Sequence, residues 1–234
     1  VENMNSMFID CNGTAFNPDV SNWDVSKVTD MGSMFSACGG DAFNPDVSNW
    51  DVSNVTNMSH MFHGCYGASF NPDVSNWDVS KVTSMGYMFF NCSGAAFRGG
   101  RGDNGNGIAN WQLKAGNNAV SMGSFMSNSK TQEPAFLDEI LNAWAALHAD
   151  GQLPTNITVN FGNNKYTTDG AAAYTTLTTI TGSGGAVRRT SIMIHTIMQP
   201  TWWIAYGIYV TYGYMETGEV GTPNPNWETF DNET

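Results

Sequence analysis

The sequence has little charge, and what it has is one-sided. Of 234 residues, 9 are Lys or Arg and 21 are Asp or Glu, for a formal net charge of −12; charged residues make up 13% of the chain. Such a surface repels phosphate backbones and argues against nucleic-acid binding. Arg98, Arg101, Lys114, Arg188 and Arg189 are too scattered to line a basic groove. Histidine is equally scarce: His60, His63, His148 and His195 are the four. Nucleophile-elbow, P-loop and His-Glu-x-x-His patterns are all missing, so no enzymatic activity is expected. There is no long uninterrupted apolar run. Residues 192–214 come nearest, but His195, Gln199, Pro200 and Gly207 interrupt them, which reads as soluble β structure rather than a membrane span. No signal peptide or initiator Met is visible, and Val1-Glu2-Asn3-Met4 aligns with Val28-Thr29-Asp30-Met31. The expectation is a processed product or a piece of something longer.

Against these absences stands a repeat. The stretch Phe-Asn-Pro-Asp-Val-Ser-Asn-Trp-Asp-Val-Ser occurs unchanged at Phe16–Ser26, Phe43–Ser53 and Phe70–Ser80. The period, about 27 residues, lies in the range of solenoid repeats. A unit this short cannot bury its own apolar side, and stacking neighbours must do it. The residues suit that job. Trp23, Trp50 and Trp77 alternate with Val25, Val52 and Val79 as in a short strand with one buried face. Asn17-Pro18-Asp19 and its copies carry turn chemistry. Met31, Met34 and Phe35 lie at i, i+3, i+4, one face of a helical turn. Met58, Met61, Phe62 and Met85, Met88, Phe89 repeat the triplet. Cys11, Cys38, Cys65 and Cys92 recur at the same period, so they belong to the repeat rather than to a zinc knuckle. They predict either a column of buried thiols or pairing of neighbours, since stacked coils about 4.8 Å apart fall within disulfide range.

The pattern then decays. Phe97 opens a fourth unit whose turn is replaced by a Gly- and Asn-rich insertion containing Arg101-Gly102-Asp103, an adhesion-type tripeptide that composition also produces by chance. Trp111 keeps the Trp column, Met122, Phe125 and Met126 echo the Met-Met-Phe triplet, and Ser129 stands at the Cys position. Thr131–Pro134 signals a helix start, Phe136 to Leu147 an apolar stripe, and Gly151 its end. Residues 156–161 alternate as a strand, with Lys165–Thr167 as a hairpin partner, and Thr168 or Asp169 caps a second helix from Gly170 to about Ile180. Ile192–Met198 and Trp202–Tyr214 read as two further strands, and 216–234 as an acidic extended tail.

The run Trp-Asp-Val-Ser-x-Val-Thr-x-Met-x-x-Met-Phe-x-x-Cys followed by Phe-Asn resembles the BspA-like leucine-rich-repeat surface proteins. More narrowly, it is similar to a branch first noticed as mycoplasma lipoproteins of unknown function. The resemblance covers residues 1 to about 97 strongly and 98–129 weakly. The helix and strand that follow resemble what accompanies such repeats in bacterial surface proteins and phage virions. The resemblance implies an extracellular, cell-surface or virion location, adhesion or host contact, and no enzymatic activity.

The expected fold is thus a leucine-rich-repeat-like solenoid of short strands and helical turns over 1–129. An α+β cap over 130–182 and a β-rich aromatic tail over 183–234 complete it. The expected function is a non-enzymatic surface protein contacting a glycan, a host receptor or other surface or virion proteins. The alternative is a self-polymerising subunit whose tail residues Ile192, Ile194, Trp202, Trp203, Tyr206 and Tyr209 cover a neighbour's open end. Repeated carboxylates form two columns, Asp19, Asp46, Asp73 and Asp24, Asp51, Asp78. They predict turn-capping carboxylates solvated at the edge or, alternatively, a calcium ladder; no other cofactor is expected.

Overall fold

The computed structural model describes residues 1–100, 107–113, 120–129, 135–150, 158–161, 164, 166–178 and 191–193. Successive copies meet at the Thr-x-Met step. Asn3, Asp30, Asn57, Ser84 and Ser121 form a ladder of parallel bridges, each to the next. Beyond each rung, alternate backbone N–H groups donate to the following copy. Met31 reaches the Asn57 carbonyl at 2.9 Å, Ser33 that of Ser59 at 2.8 Å, Phe35 that of Met61 at 2.9 Å and Ala37 that of His63 at 2.7 Å. The intervening N–H groups close turns inside their own copy: Met34 donates to Met31, Ser36 to Ser33 and Cys38 to Phe35. Donors of this stretch are thus satisfied by two alternating rules, neither of them helical.

Two local readings are corrected here. The Met-x-x-Met-Phe stretch is a run of turns, because Ser33 and Ala37 sit in the left-handed region at φ 54° and 61°. The spacing still places Met31, Met34 and Phe35 fully in the core. The short strand does not lie at Trp-Asp-Val either. There the Asp51 carboxylate takes the N–H of Ser53 at 3.1 Å, an Asx turn that withdraws the backbone from ladder pairing. Trp50 and Val52 nevertheless both point inward, as the alternation requires.

The core is a set of columns. Phe35, Phe62 and Phe89 stack at 5.6 and 5.5 Å, and Phe43, Phe70 and Phe97 at 5.9 and 5.7 Å. Each ring is fully buried, a contribution of about 1.5–3 kcal/mol apiece. Trp23 and Cys11 depart from the expected core: both are only half-buried, whereas Trp50, Trp77, Cys38, Cys65 and Cys92 are buried. The burying partner of each is the copy that precedes it.

The segment expected as a cap carries the ladder onward. Ser121 is the fifth rung and also opens β1 (Ser121–Met122), which pairs in parallel with β2 (Thr158–Asn160), and β2 with β3 (Ser191–Met193). Parallel neighbours need a crossover, and helices α1 (Phe136–Ala149) and α2 (Thr168–Thr178) supply one each. The hairpin expected at Lys165–Thr167 is therefore overturned; β2 spends its edges on β1 and β3. Ile192, expected in a strand, pairs with Val159 in this sheet, and the second tail strand expected at Trp202–Tyr214 lies outside the described residues. The other tail residues named above (Ile194, Trp202, Trp203, Tyr206 and Tyr209) lie outside the described residues, as do Arg101-Gly102-Asp103 and Thr131–Pro134.

Helix α1 buries Phe136, Leu137, Ile140, Leu141 and Trp144. It packs on the 3₁₀ turn Gly107–Asn110, which leads into Trp111, and on α2. Asp138 is buried on the same helix because it accepts both the N–H and the hydroxyl of Thr167, at 2.8 and 2.7 Å. Thr167 Oγ1 in turn accepts the Asp169 N–H at 3.2 Å. Thr167, rather than Thr168 or Asp169, is therefore the α2 cap. The described residues all fall within one compact unit, residues 1–200, and among them no helix is long and apolar enough to cross a membrane.

Candidate functional site

The copies differ in one half and agree in the other, and the structure explains much of the agreement. Asn44 N–H donates to Asn17 Oδ1, Asn71 N–H to Asn44 Oδ1 and Arg98 N–H to Asn71 Oδ1, at 2.9–3.0 Å. The Asn of Asn-Pro-Asp is thus an inter-copy rung as well as a turn residue. Each buried indole of the repeat's Trp column donates backwards: Trp50 to the Val20 carbonyl and Trp77 to Val47 at 3.0 Å, Trp111 to Val74 at 2.9 Å. The thiols do the same, Cys38 to Phe8 at 3.0 Å, Cys65 to Phe35 at 3.2 Å and Cys92 to Phe62 at 3.1 Å. All four cysteines are free. Ser129 takes over the column with its hydroxyl, donating to the Phe89 carbonyl and accepting the Cys92 N–H.

Glycine two residues after each Cys has a steric role that spacing alone did not reveal. A methyl at Gly67 would come within 2.1 Å of the Gly40 carbonyl oxygen, and at Gly94 within 2.0 Å of that of Gly67. Backbones of successive copies touch there, and only a residue without Cβ fits.

The carboxylate columns are spent on turns. Asp19 accepts the Ser21 N–H and hydroxyl, Asp46 those of Ser48 and Asp73 those of Ser75. Asp24 does the same with Ser26, and Asp51 and Asp78 accept the N–H of Ser53 and Ser80. The Ser53 hydroxyl and N–H hold Asp51 below its ordinary carboxylate range. Slight burial and the neighbouring Asp78 and Asp24 oppose this more weakly. Ser21 lowers Asp19, and Ser26 lowers Asp24, in the same way. At Asp51 the turn bonds thus outweigh the repulsion of the carboxylates on either side. Among the described residues no group of three or more His, Cys, Asp or Glu is arranged to hold a metal ion.

The varying half presents a different surface. Three columns on the turns, three residues apart, run Ser33, His60, Tyr87; Ser36, His63, Phe90; and Gly39, Tyr66, Ser93. The left-handed turn recurs with the first column, at Ser33 φ 54°, His60 φ 59° and Tyr87 φ 59°. In the third and fourth copies rings gather. His60 stacks on Tyr87 at 4.9 Å and 7°, and His63 on Phe90 at 5.0 Å and 3°. Across the columns His60 meets His63 at 5.7 Å and Tyr87 meets Phe90 at 5.6 Å. Tyr66 lies over Gly39, whose missing side chain makes the room: a methyl there would sit 2.7 Å from the ring. Tyr66 and Tyr87 are 56% and 40% exposed, so the rings form an open face and not a core. Burial, then the adjacent His63, pushes the His60 imidazole below its ordinary value, which keeps it neutral at pH 7. The sequence marks these histidines only as differences between copies; it does not show that the differing positions converge.

Residues 1–98 match the family model described as "Mycoplasma protein of unknown function, DUF285". The chain is similar to that family over its regular copies; β1, α1, β2, α2 and β3 lie beyond the match. No curated protein and no solved structure matches the chain.

Proposed function

We propose that the chain is a leucine-rich-repeat-like solenoid that works outside a cell or on a virion as a non-enzymatic contact protein. In this reading the constant half of each copy builds the scaffold and the varying half presents the contact face. One observation carries it. Asp19, Asn22 and Asp24 are exposed yet identical in three copies, so exposure alone does not produce difference. Difference concentrates instead on adjoining columns, and in two copies these bear rings in the open. An open aromatic face rimmed by hydroxyls and amides suits recognition better than solubility. The resemblance of the repeats to BspA-like surface proteins agrees with that location and role.

The test is adhesion. The purified chain, immobilised on beads, is presented to bacterial and animal cell surfaces and to purified envelope material. Saturable retention that soluble chain competes away supports a contact role. No retention on any surface, with the chain shown folded, overturns it.

A further inference from the structure

The ring face has a chemistry that narrows its partner. No Lys, Arg, Asp or Glu occurs in residues 54–72 or 82–97, so the third and fourth copies present their rings in an uncharged field on a chain of net charge −12. Next to the rings stand Ser33, Ser36 and Ser124, hydroxyls on the neighbouring copies. The face holds no Lys, Arg, Asp or Glu to pair with a charged partner, and an anionic one is repelled by the chain as a whole. A purely apolar partner would leave imidazole nitrogens and phenol hydroxyls without hydrogen-bond partners. What remains is a partner with both C–H faces and hydroxyl edges and no charge.

We infer that the face formed by His60, His63, Tyr66, Tyr87 and Phe90 is a binding site for a neutral carbohydrate. Tyr66 is the platform. It lies over Gly39 and is largely exposed, so it can offer its ring to the C–H side of a sugar, which the negative face of an aromatic attracts. The other four rings stack as two pairs, His60 on Tyr87 and His63 on Phe90, and their imidazoles and the Tyr87 hydroxyl exchange hydrogen bonds with sugar hydroxyls. Rung spacing of about 4.8 Å between copies matches the length of roughly one pyranose, so one sugar per copy is the natural register. Preformed rings held by left-handed turns lose little freedom on binding, which favours affinity.

The inference deepens the contact role proposed above and rests on it. Its test uses the whole chain and substitutions that the chain already contains at the same turns. His60→Ser, His63→Ser, Tyr87→Ser and Phe90→Ser copy Ser33, Ser36, Ser124 and Ser127, two of which, Ser33 and Ser124, are themselves left-handed. Neutral oligomers of glucose, galactose, mannose and N-acetylglucosamine are titrated while the His and Tyr ring signals are followed by NMR; sialyllactose is the charged control. At least one neutral oligomer shifts the His60, His63 and Tyr66 signals. Tyr66→Ala and the fourfold serine variant weaken it about tenfold or more while both remain folded by circular dichroism. Silence across all neutral oligomers, preference for sialyllactose, or binding that survives both variants overturns the inference. If the chain still adheres to surfaces in that event, the contact role stands and only the sugar is wrong. If it adheres to nothing, both fall.

Discussion

Replacing Trp77 by Phe removes one defined bond from an otherwise repeated environment. The indole N–H donates to the Val47 carbonyl at 3.0 Å in a buried site, and the ring packs beside Phe62 at 6.4 Å. Phe keeps the aromatic contact and loses the donor. Val47 O retains the Trp50 N–H at 3.2 Å, so the acceptor is not orphaned and the lost bond is worth about 1 kcal/mol. The smaller ring leaves a gap that adds about 1–2 kcal/mol. The expected cost is therefore about 2–3 kcal/mol. Trp23 lies in the same repeated sequence, yet it is half-buried and makes no such bond among the described residues. Trp23→Phe should cost under about 1 kcal/mol. Urea unfolding followed by circular dichroism reads both, with the slope m tracked alongside the midpoint because a shortened cooperative unit lowers it. Equal costs at the two positions would refute the argument that stacking, and not local sequence, fixes each Trp. So would a Trp77→Phe variant as stable as the parent to within about 0.5 kcal/mol, the scatter of an ordinary surface substitution.

Other expectations follow from the same geometry. Gly67→Ala drives a methyl against the Gly40 carbonyl and should cost about 3 kcal/mol or more. Gly13→Ala, whose nearest neighbour is Phe16 Cβ at 4.0 Å, should be nearly silent; thermal melts compare them. A thiol reagent should modify Cys11 in the folded chain but reach Cys38, Cys65 and Cys92 only on unfolding. Burial pushes the Cys38 thiol up to about 12 and raises the other two as well. His60 is held below its ordinary 6.5, so its contribution to stability is present above that value and is lost as pH falls from there through the lower value it has in the folded chain. His60→Ser should therefore flatten the fall in melting temperature between about pH 7 and pH 5.

The regular copies were legible because each buried position recurs. Val, Met, Met, Phe, Cys and Trp fall in register, and a core column is the only arrangement that buries them all. Legibility failed where the backbone chose between alternatives of similar local appeal. Asp-x-Ser turns took the backbone that alternation at Trp-Asp-Val offered to a strand. Left-handed residues at Ser33 and Ala37 converted a helical spacing into turns without moving Met31 or Phe35 from the core. Past Ser129 the repeat no longer shows in the residues at all. The ladder persists through Thr158 and Ser191 because parallel pairing is a backbone property, and the helices between rungs have sequences of their own. The ring face was invisible for a different reason. His60 and Tyr87 lie a full repeat apart and look like unrelated substitutions until stacking brings their rings to 4.9 Å.

The most direct measurement is the adhesion of the fourfold serine variant, His60→Ser with His63→Ser, Tyr87→Ser and Phe90→Ser, beside a variant in which Asp19, Asp46 and Asp73 become Asn. If the varying half is the contact face, the serine variant folds as the parent does and loses surface retention, while the Asn variant keeps it. Retention undiminished in the serine variant, or lost equally in both, would contradict the account.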